Sequence, residues 1–266
     1  MTTGGRESRA IVNSLFVSCY NEERVIGRTL DKVKAMVAAL GEPTEVIVID
    51  DASQDGSVAV LERYLAEGAL DLRVFRNRRN VGLARNFFWA AKLARGRYFR
   101  LVWGGDITPL ASHLAIHAAA GRADVVIPDY SGATGGTLFR RALSRLFVAL
   151  CNGASGLNVR YYNGGALFRR EDVVDAGIRA CGFGFQAELI AALLTAGRRY
   201  VELPLPAVRD PVSSSVNWRN ALSVVHTLAK IIAWRLLRPT RTLDMPRICE
   251  EVNDPTDRGK PRDGQG

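Results

Sequence analysis

Four consecutive β-branched residues, Val46-Ile47-Val48-Ile49, run straight into two carboxylates, Asp50 and Asp51, and then into the turn formers Ala52 to Ser57. An apolar run without polar alternation suits a strand covered on both faces, as in a parallel sheet with helices on either side. Acids at the carboxyl end of such a strand are costly to bury without partners. That end is also where ligands sit in open α/β sheets. Asp50 and Asp51 therefore either cap the helix that follows or belong to a ligand crevice.

The rest of the first half repeats the alternation. Leu15 to Cys19 reads as a strand, and Asn21 as a cap for a helix with apolar spacing at Ile26, Leu30, Val33, Val37 and Leu40, stopping at Gly41. A helix over Val58 to Ala66, a strand over Leu72 to Phe75, a helix over Asn80 to Ala94 and a strand over Tyr98 to Trp103 follow. A helix near Leu110 to Ala119 and a short strand over Asp124 to Ile127 complete this half. Strand and helix in strict turn predict a doubly wound, mostly parallel sheet. The second half is less regular: a basic helix from Leu138 to Leu150, a strand over Asn163 to Phe168 with glycines where another backbone comes close, a helix over Gln186 to Ala196 and a strand over Tyr200 to Leu203. The longest helix is expected over Val216 to Leu237, and Asp244 to Gly266 reads as a disordered tail. The boundaries expected are one domain over 10–243, divided into 10–130 and 131–243, with a tail over 244–266.

Charge narrows the partners. The formal net charge is +9 over 266 residues, and Pro211 to Leu243 carries five Lys or Arg and no acid. Arg140, Arg141, Arg145, Arg160, Arg169 and Arg170 form a second basic group. Surfaces of this kind favour phosphates on nucleotides, nucleic acid or anionic lipid. Nucleic acid is disfavoured, because no stacking platform or groove-reading motif accompanies the arginines. Lys230 and Arg235 interrupt the Val216–Leu237 helix, so it does not span a membrane; it either lies amphipathically in the interface or packs on the core. Cys19, Cys151, Cys181 and Cys249 show no close pairing, and the amino terminus shows no apolar leader, which predicts a reduced, cytoplasmic setting. His113 and His117, one helical turn apart, lack the Glu of a metalloprotease motif. No glycine loop follows the first strand and no P-loop is present, so carboxylates with a metal, together with arginines, are left to handle phosphate.

Five segments in order resemble the family 2 glycosyltransferases of GT-A fold, nearest to the polyprenyl-phosphate (dolichyl-phosphate mannosyltransferase-like) branch. They are Ser18-Cys19-Tyr20-Asn21-Glu22-Glu23, Val48 to Gly56, Asn80-Val81-Gly82-Leu83-Ala84-Arg85-Asn86, Gly164 to Arg170, and Arg209 with Ser214 and Ser215. The resemblance covers about Ser14 to Leu237. It implies a Rossmann-like sheet with a C-terminal amphipathic helix. It also implies that Ser18, Cys19, Tyr20 and Glu22 line the nucleotide and sugar end of the first strand, that Asp51 holds the base, and that Arg85 lies near the diphosphate. Asp106 falls where the family's metal-binding Asp-x-Asp ends, and Gly105 and Gly164 count among the substrate-binding residues the resemblance implies. Arg209, with Ser214 and Ser215, would hold phosphate, and Glu188 stands where relatives carry the acceptor-side carboxylate. Trp103-Gly104-Gly105-Asp106 offers one carboxylate where relatives offer two or three.

The function so implied is sugar transfer from a nucleotide-diphosphate donor, with Mg²⁺ or Mn²⁺, to an acceptor at the inner face of a membrane. The expected acceptor is a polyprenyl phosphate and the expected outcome at the anomeric carbon is inversion. Alternatives are transfer to a glycan hydroxyl, with Glu188 as general base, and a nucleotide-sugar-binding relative without chemistry.

Overall fold

The computed structural model of the chain describes residues 10–105, 108–132, 138–178, 182, 184–206, 227–233 and 249–251. Strands β1 (Asn13–Cys19), β2 (Thr44–Asp50), β3 (Asp71–Asn77) and β4 (Tyr98–Val102) alternate with helices α1 (Ile26–Leu40), α2 (Ser57–Glu67) and α3 (Leu83–Leu93). Then come α4 (Leu110–Ala118), β5 (Val125–Asp129), α5 (Leu138–Ser155), β6 (Leu167–Arg169), α6 (Arg170–Asp175), α7 (Phe185–Thr195), β7 (Tyr200–Pro204) and β8 (Cys249–Glu251). Residues 227–233 are helical.

The strands form one sheet in the order β7-β5-β6-β4-β1-β2-β3-β8. β1 pairs in parallel with β2 and β4, β2 with β3, and β5 with β7. Successive residues of the central strands feed opposite cores. Leu15, Val17, Val46 and Val48 pack with α1 and α2 residues Ile26, Leu30, Val33 and Leu61. Phe16, Ile47 and Ile49 pack on the other face with α3 and α7. That two-sided burial is why the Val46–Ile49 run has no polar alternation. On the α3 face Phe87 makes ring contacts with Phe16, Phe88, Phe99, Phe168 and Phe185, at centroid separations of 5.1–6.5 Å. One residue thereby joins β1, β4, β6 and α7. α1 stops where expected, at Gly41, which takes a left-handed φ of 64°.

Three expectations change. Asn21 does not cap α1, which begins after Val25; Asn21 is a turn residue at φ 54°. The strand expected over Asn163 to Phe168 is only Leu167–Arg169, and it runs antiparallel to both β4 and β5. Its register, Arg100 opposite Leu167, brings the preceding Gly164–Ala166 to the carboxyl end of β4. Third, part of the expected tail is a strand: β8 pairs antiparallel with β3, Cys249 opposite Asn77. Of the expected Val216–Leu237 helix, only 227–233 falls within the described residues.

Candidate functional site

Around β1 the connections reverse direction. β2 and β3 lie on one side of it and β4 on the other, so the topological switch point, where a crevice is expected, falls between the carboxyl ends of β1 and β4. Open α/β sheets bind ligands there. Ser18, Tyr20 and Glu22 stand at the β1 lip, with the Cys19 side chain between them turned into the core, and Trp103, Gly104 and Gly105 stand at the β4 lip.

The first and second motifs are laced together. Asn21 N donates to Ser53 Oγ (2.9 Å), Glu22 N to Ser57 Oγ (2.9 Å), Glu23 N to Asp55 Oδ2 (3.1 Å), Gln54 N to Asn21 Oδ1 (2.9 Å) and Gly56 N to Glu23 Oε2 (3.1 Å). Asp51 N adds a bond to the Cys19 carbonyl (2.8 Å). Backbone donors of these loops are thus met by short side chains, which is why Ser, Asp and Asn crowd both motifs. Asn21 and Ala52, at φ 63°, are the only non-glycine residues with positive φ among the described residues. Both lie within these two laced loops, in strained backbone of the kind that clusters at functional sites.

Asp51 is buried and almost fully occupied. Its Oδ1 accepts from Asn77 Nδ2 (2.7 Å) and Val81 N (2.9 Å), and its Oδ2 from Gly82 N (2.9 Å). Asn77 Nδ2 also donates to Asn86 Oδ1 (2.9 Å). The capping reading is corrected: α2 has no side-chain cap, and Asp51 instead accepts from the backbone of Val81 and Gly82 just before α3. Negative charge at a helix amino terminus is favourable, so Asp51 fixes the Asn80–Asn86 motif against the sheet. Arg85 stands exposed in the first turn of α3. Asp50 is fully buried; Oδ2 accepts from Ser53 N (3.2 Å) and lies 3.4 Å from Arg76 Nε, while Oδ1 has no hydrogen-bond partner among the described residues.

Cys19 differs from its expected role. Only 3% exposed, it belongs to the α1–α2 core, because alternation along β1 turns Leu15, Val17 and Cys19 the same way. Burial, reinforced by the Asp50 charge, pushes its thiol pKa up to about 12, against hydrogen bonds from Ser57 and Ser53. It stays a neutral thiol. Tyr20, by contrast, is 48% exposed at the lip. Burial, and then the charge of Asp55, raises the Glu22 carboxyl above the usual carboxylate range.

The β4 lip rests directly on β1. A Cβ at Gly104 would collide with the Ser18 carbonyl oxygen, and Gly104 N lies 3.4 Å from Ser18 Oγ. From α1, Thr29 Oγ1 donates to the Gly104 carbonyl (2.6 Å) and Lys32 Nζ to the Thr108 carbonyl (2.9 Å). Asp106, between those anchors in the chain, lies outside the described residues, as do Arg209, Ser214 and Ser215.

Gly164 and Gly165 reach the crevice from the second half. A Cβ on Gly164 would stand 2.6 Å from the Pro128 carbonyl oxygen, and Gly165, at φ 65°, passes the Leu101 carbonyl. Two side chains grip Gly165: its N–H donates to Gln186 Oε1 (3.0 Å), and Arg100 Nε donates to its carbonyl (2.9 Å). Glu188, one turn along α7 from Phe185, is 3% exposed and lies 3.3 Å from Lys230 Nζ. Glu188 is therefore not a solvated helix acid.

Sequence reasoning passed over Arg100, although a lone Arg inside Tyr98-Phe99-Arg100-Leu101-Val102 was its visible signal. It is 1% exposed, burial lowers its pKa to about 10, and its Nη1 lies 2.8 Å from His113 Nδ1. Arg can only donate, so His113 Nδ1 is the acceptor and the tautomer is inferred to carry its proton on Nε2. Burial, followed by the Arg100 charge, drops His113 to about 2 and His117 to about 3. Both imidazoles are neutral core groups.

The family model for glycosyl transferase family 2 matches residues 14–177. The chain belongs to glycosyltransferase family 2. Its fold is GT-A: it aligns with glucosyl-3-phosphoglycerate synthase from Mycobacterium tuberculosis in complex with UDP at a TM-score of 0.62 and 18% identity, over 84% of this chain and 80% of that one. A mannosyltransferase from Pyrobaculum calidifontis, in complex with GDP-Man and Mn²⁺, aligns at a TM-score of 0.61 and 17% identity, over 87% of this chain and 65% of that one. Among curated sequences, a dodecaprenyl-phosphate galacturonate synthase of Rhizobium johnstonii is 31% identical over 107 residues. That match spans 38% of this chain and 32% of the relative, so the chain covers about a third of the relative's length.

Proposed function

We propose that this family 2 glycosyltransferase moves a sugar from a nucleoside-diphosphate donor to a polyprenyl phosphate at the inner face of a membrane, with inversion. The observation that carries the reading is the meeting, at the β1–β4 switch point, of two laced motif loops with the glycine loop of the second half. In this reading residues 10–130 hold the donor and 131–243 the acceptor. Tyr20 stacks on or beside the nucleotide, Glu22 and the backbone around Ser18 face the sugar, and Arg85 faces the diphosphate. Asp51 acts beneath them, holding α3 in place, with one lone pair of Oδ2 left for the base.

The residues at hand allow a divalent cation without forming a cage for one. No group of three or more His, Cys, Asp or Glu gathers for a metal among the described residues. Mg²⁺ on a diphosphate needs only one or two carboxylates beside phosphate oxygens and water, and Asp106 supplies one. Bound there, Mg²⁺ or Mn²⁺ would neutralise charge on the departing nucleotide.

In the chemical step a phosphate oxygen of the acceptor forms a bond to the anomeric carbon. The bond from that carbon to the diphosphate oxygen breaks, and its electrons leave with the nucleotide. A phosphate monoester, with a second pKa of about 6, is already ionised and needs no base. Arg209, with Ser214 and Ser215, is assigned to its phosphate. The match to a dodecaprenyl-phosphate enzyme supports this acceptor. Among the described residues no helix is long and apolar enough to cross a membrane, which fits peripheral attachment.

The burial of Glu188 favours a second reading, in which it deprotonates a glycan hydroxyl. The deciding experiment screens UDP- and GDP-sugars against polyprenyl phosphate in liposomes, read by the mass of the lipid product. A lipid heavier by one sugar is the expected result. Donor binding without transfer to lipid or glycan would leave a non-catalytic nucleotide-sugar binder. Loss of turnover in Glu188→Gln, with Arg209→Ala tolerated, would replace the lipid phosphate by a hydroxyl.

A further inference from the structure

α5 has two apolar faces, and among the described residues only one of them is packed. Phe147, Val148, Cys151 and Ala154 join the core on the α3–α7 side. Ala142, Leu143, Leu146, Ala149, Leu150 and Gly153 are all exposed, the three leucines at 42%, 54% and 43%. At 100° per residue these six fall within an arc of about 120° along three turns. No polar side chain interrupts that arc. Leucines in such a stripe are not the scattered single apolar residues of an ordinary surface.

Charge selects the occupant. Between Asp129 and Glu171 the sequence holds six arginines and no acid. Three of them, Arg140, Arg141 and Arg145, are on α5 itself; at 100° per residue Arg145 is the one that borders the stripe, and it is exposed. A second copy packed here by two-fold symmetry would bring these like charges together. The chain's own Pro211–Leu243 segment, also basic and without acids, would not neutralise them. An apolar stripe bordered by Arg145, in a stretch with six arginines and no acid, is the pattern of a helix lying in a lipid interface, leucines among the acyl chains and the guanidinium at the headgroups.

We infer that the exposed face of α5 docks the protein on an anionic phospholipid surface, with Leu143, Leu146 and Leu150 as the inserted side chains. The inference rests on the reading of the acceptor as lipid-borne and adds the surface that reaches it. α5 leads through 156–163 to Gly164 and Gly165, so docking there holds the acceptor side of the crevice near the bilayer.

The test uses the full chain with vesicles of phosphatidylcholine alone or mixed with phosphatidylglycerol, read by co-sedimentation. Binding to the mixed vesicles is expected, weakening as salt rises. The triple variant Leu143→Ser/Leu146→Ser/Leu150→Ser should bind about tenfold more weakly or worse, with an unchanged melting midpoint and unchanged nucleotide binding. Arg145→Gln should lose about fivefold on the anionic vesicles only. Undiminished vesicle binding by the triple variant overturns the inference. So does a melting midpoint lowered by several degrees, which would mean that the chain covers this face itself. A dimer in light scattering that the triple variant converts to monomer would make the face a contact between copies. The proposed activity is scored separately, by transfer to a short-chain polyprenyl phosphate in detergent. Transfer there with no vesicle binding by the natural chain sinks docking alone, whereas docking without transfer sinks the acceptor reading and leaves the surface standing.

Discussion

Gly104 and Asp51 show how single residues fix the loops at the switch point. Any side chain at 104 meets the Ser18 carbonyl oxygen, which is backbone in a central strand and has nowhere to move. Gly104→Ala should therefore shift the β4 lip, weakening UDP or GDP binding at least about tenfold by calorimetry, because a misplacement near 1 Å costs on that order or more. An unchanged affinity would mean that the nucleotide does not sit between β1 and β4. Asp51→Ala removes the acceptor for Val81 N and Gly82 N and should cost roughly 2–4 kcal/mol in denaturant melts, the range for losing charge-assisted bonds. Asp51→Asn keeps one acceptor oxygen but turns an NH₂ toward a backbone donor, so it should fall between. A variant that loses nucleotide affinity without losing stability would assign Asp51 to the base after all.

Among the elements, α4 carries a pH dependence that can be worked out in sign. His113 and His117 are neutral when folded, with pKa values near 2 and 3 against 6.5 for the free side chain. A base whose folded pKa is depressed contributes stability above its unfolded pKa and loses it as pH falls. The chain should therefore lose stability below about pH 6.5, approaching two protons' worth of slope, about 2.7 kcal/mol per pH unit. His117→Asn should flatten that slope by about half in melts between pH 6.5 and 4. An acid limb of unaltered slope would place the His117 proton uptake elsewhere. The same helix shows what could be read in the sequence. Spacing disclosed α1, the β2 run and most helices, since a face in contact with a core must repeat at 3.6 or 2 residues. Spacing says nothing of strand direction, so the reversal of β6 was hidden in a three-residue strand. The Arg100–Gly165 bond was hidden likewise, spanning 65 residues between segments that pattern alone does not make neighbours. Cys19 was assigned to the lip because its motif lies there, yet strand alternation had already turned its side chain inward.

For the whole molecule, the decisive feature is that one site draws on both halves of the chain along the carboxyl edge of the central strands. β1 and β2 bring laced loops, β4 brings the glycine lip, and the reversed β6 carries Gly164 and Gly165 in from the second half, held by Arg100 and by Gln186 of α7. The Phe87 ring cluster ties the same elements together beneath it. Halves joined through a shared core and a shared crevice should unfold together, so donor binding in the crevice ought to stabilise the entire described fold rather than one half. At a nucleotide concentration 100 times its dissociation constant the gain is about 2.7 kcal/mol, which for a chain of this size raises the melting midpoint by about 5–10 °C. With Mn²⁺ present the correct nucleoside diphosphate should move a single calorimetric transition by that amount. Asp106→Asn should abolish the part of the shift that Mn²⁺ adds while leaving the metal-free shift intact, since it removes the one carboxylate assigned to the cation. A transition that splits on adding nucleotide, its lower component unmoved, would show that the second half takes no part in the donor site. An Mn²⁺ effect that survives Asp106→Asn would move the cation away from the β4 lip.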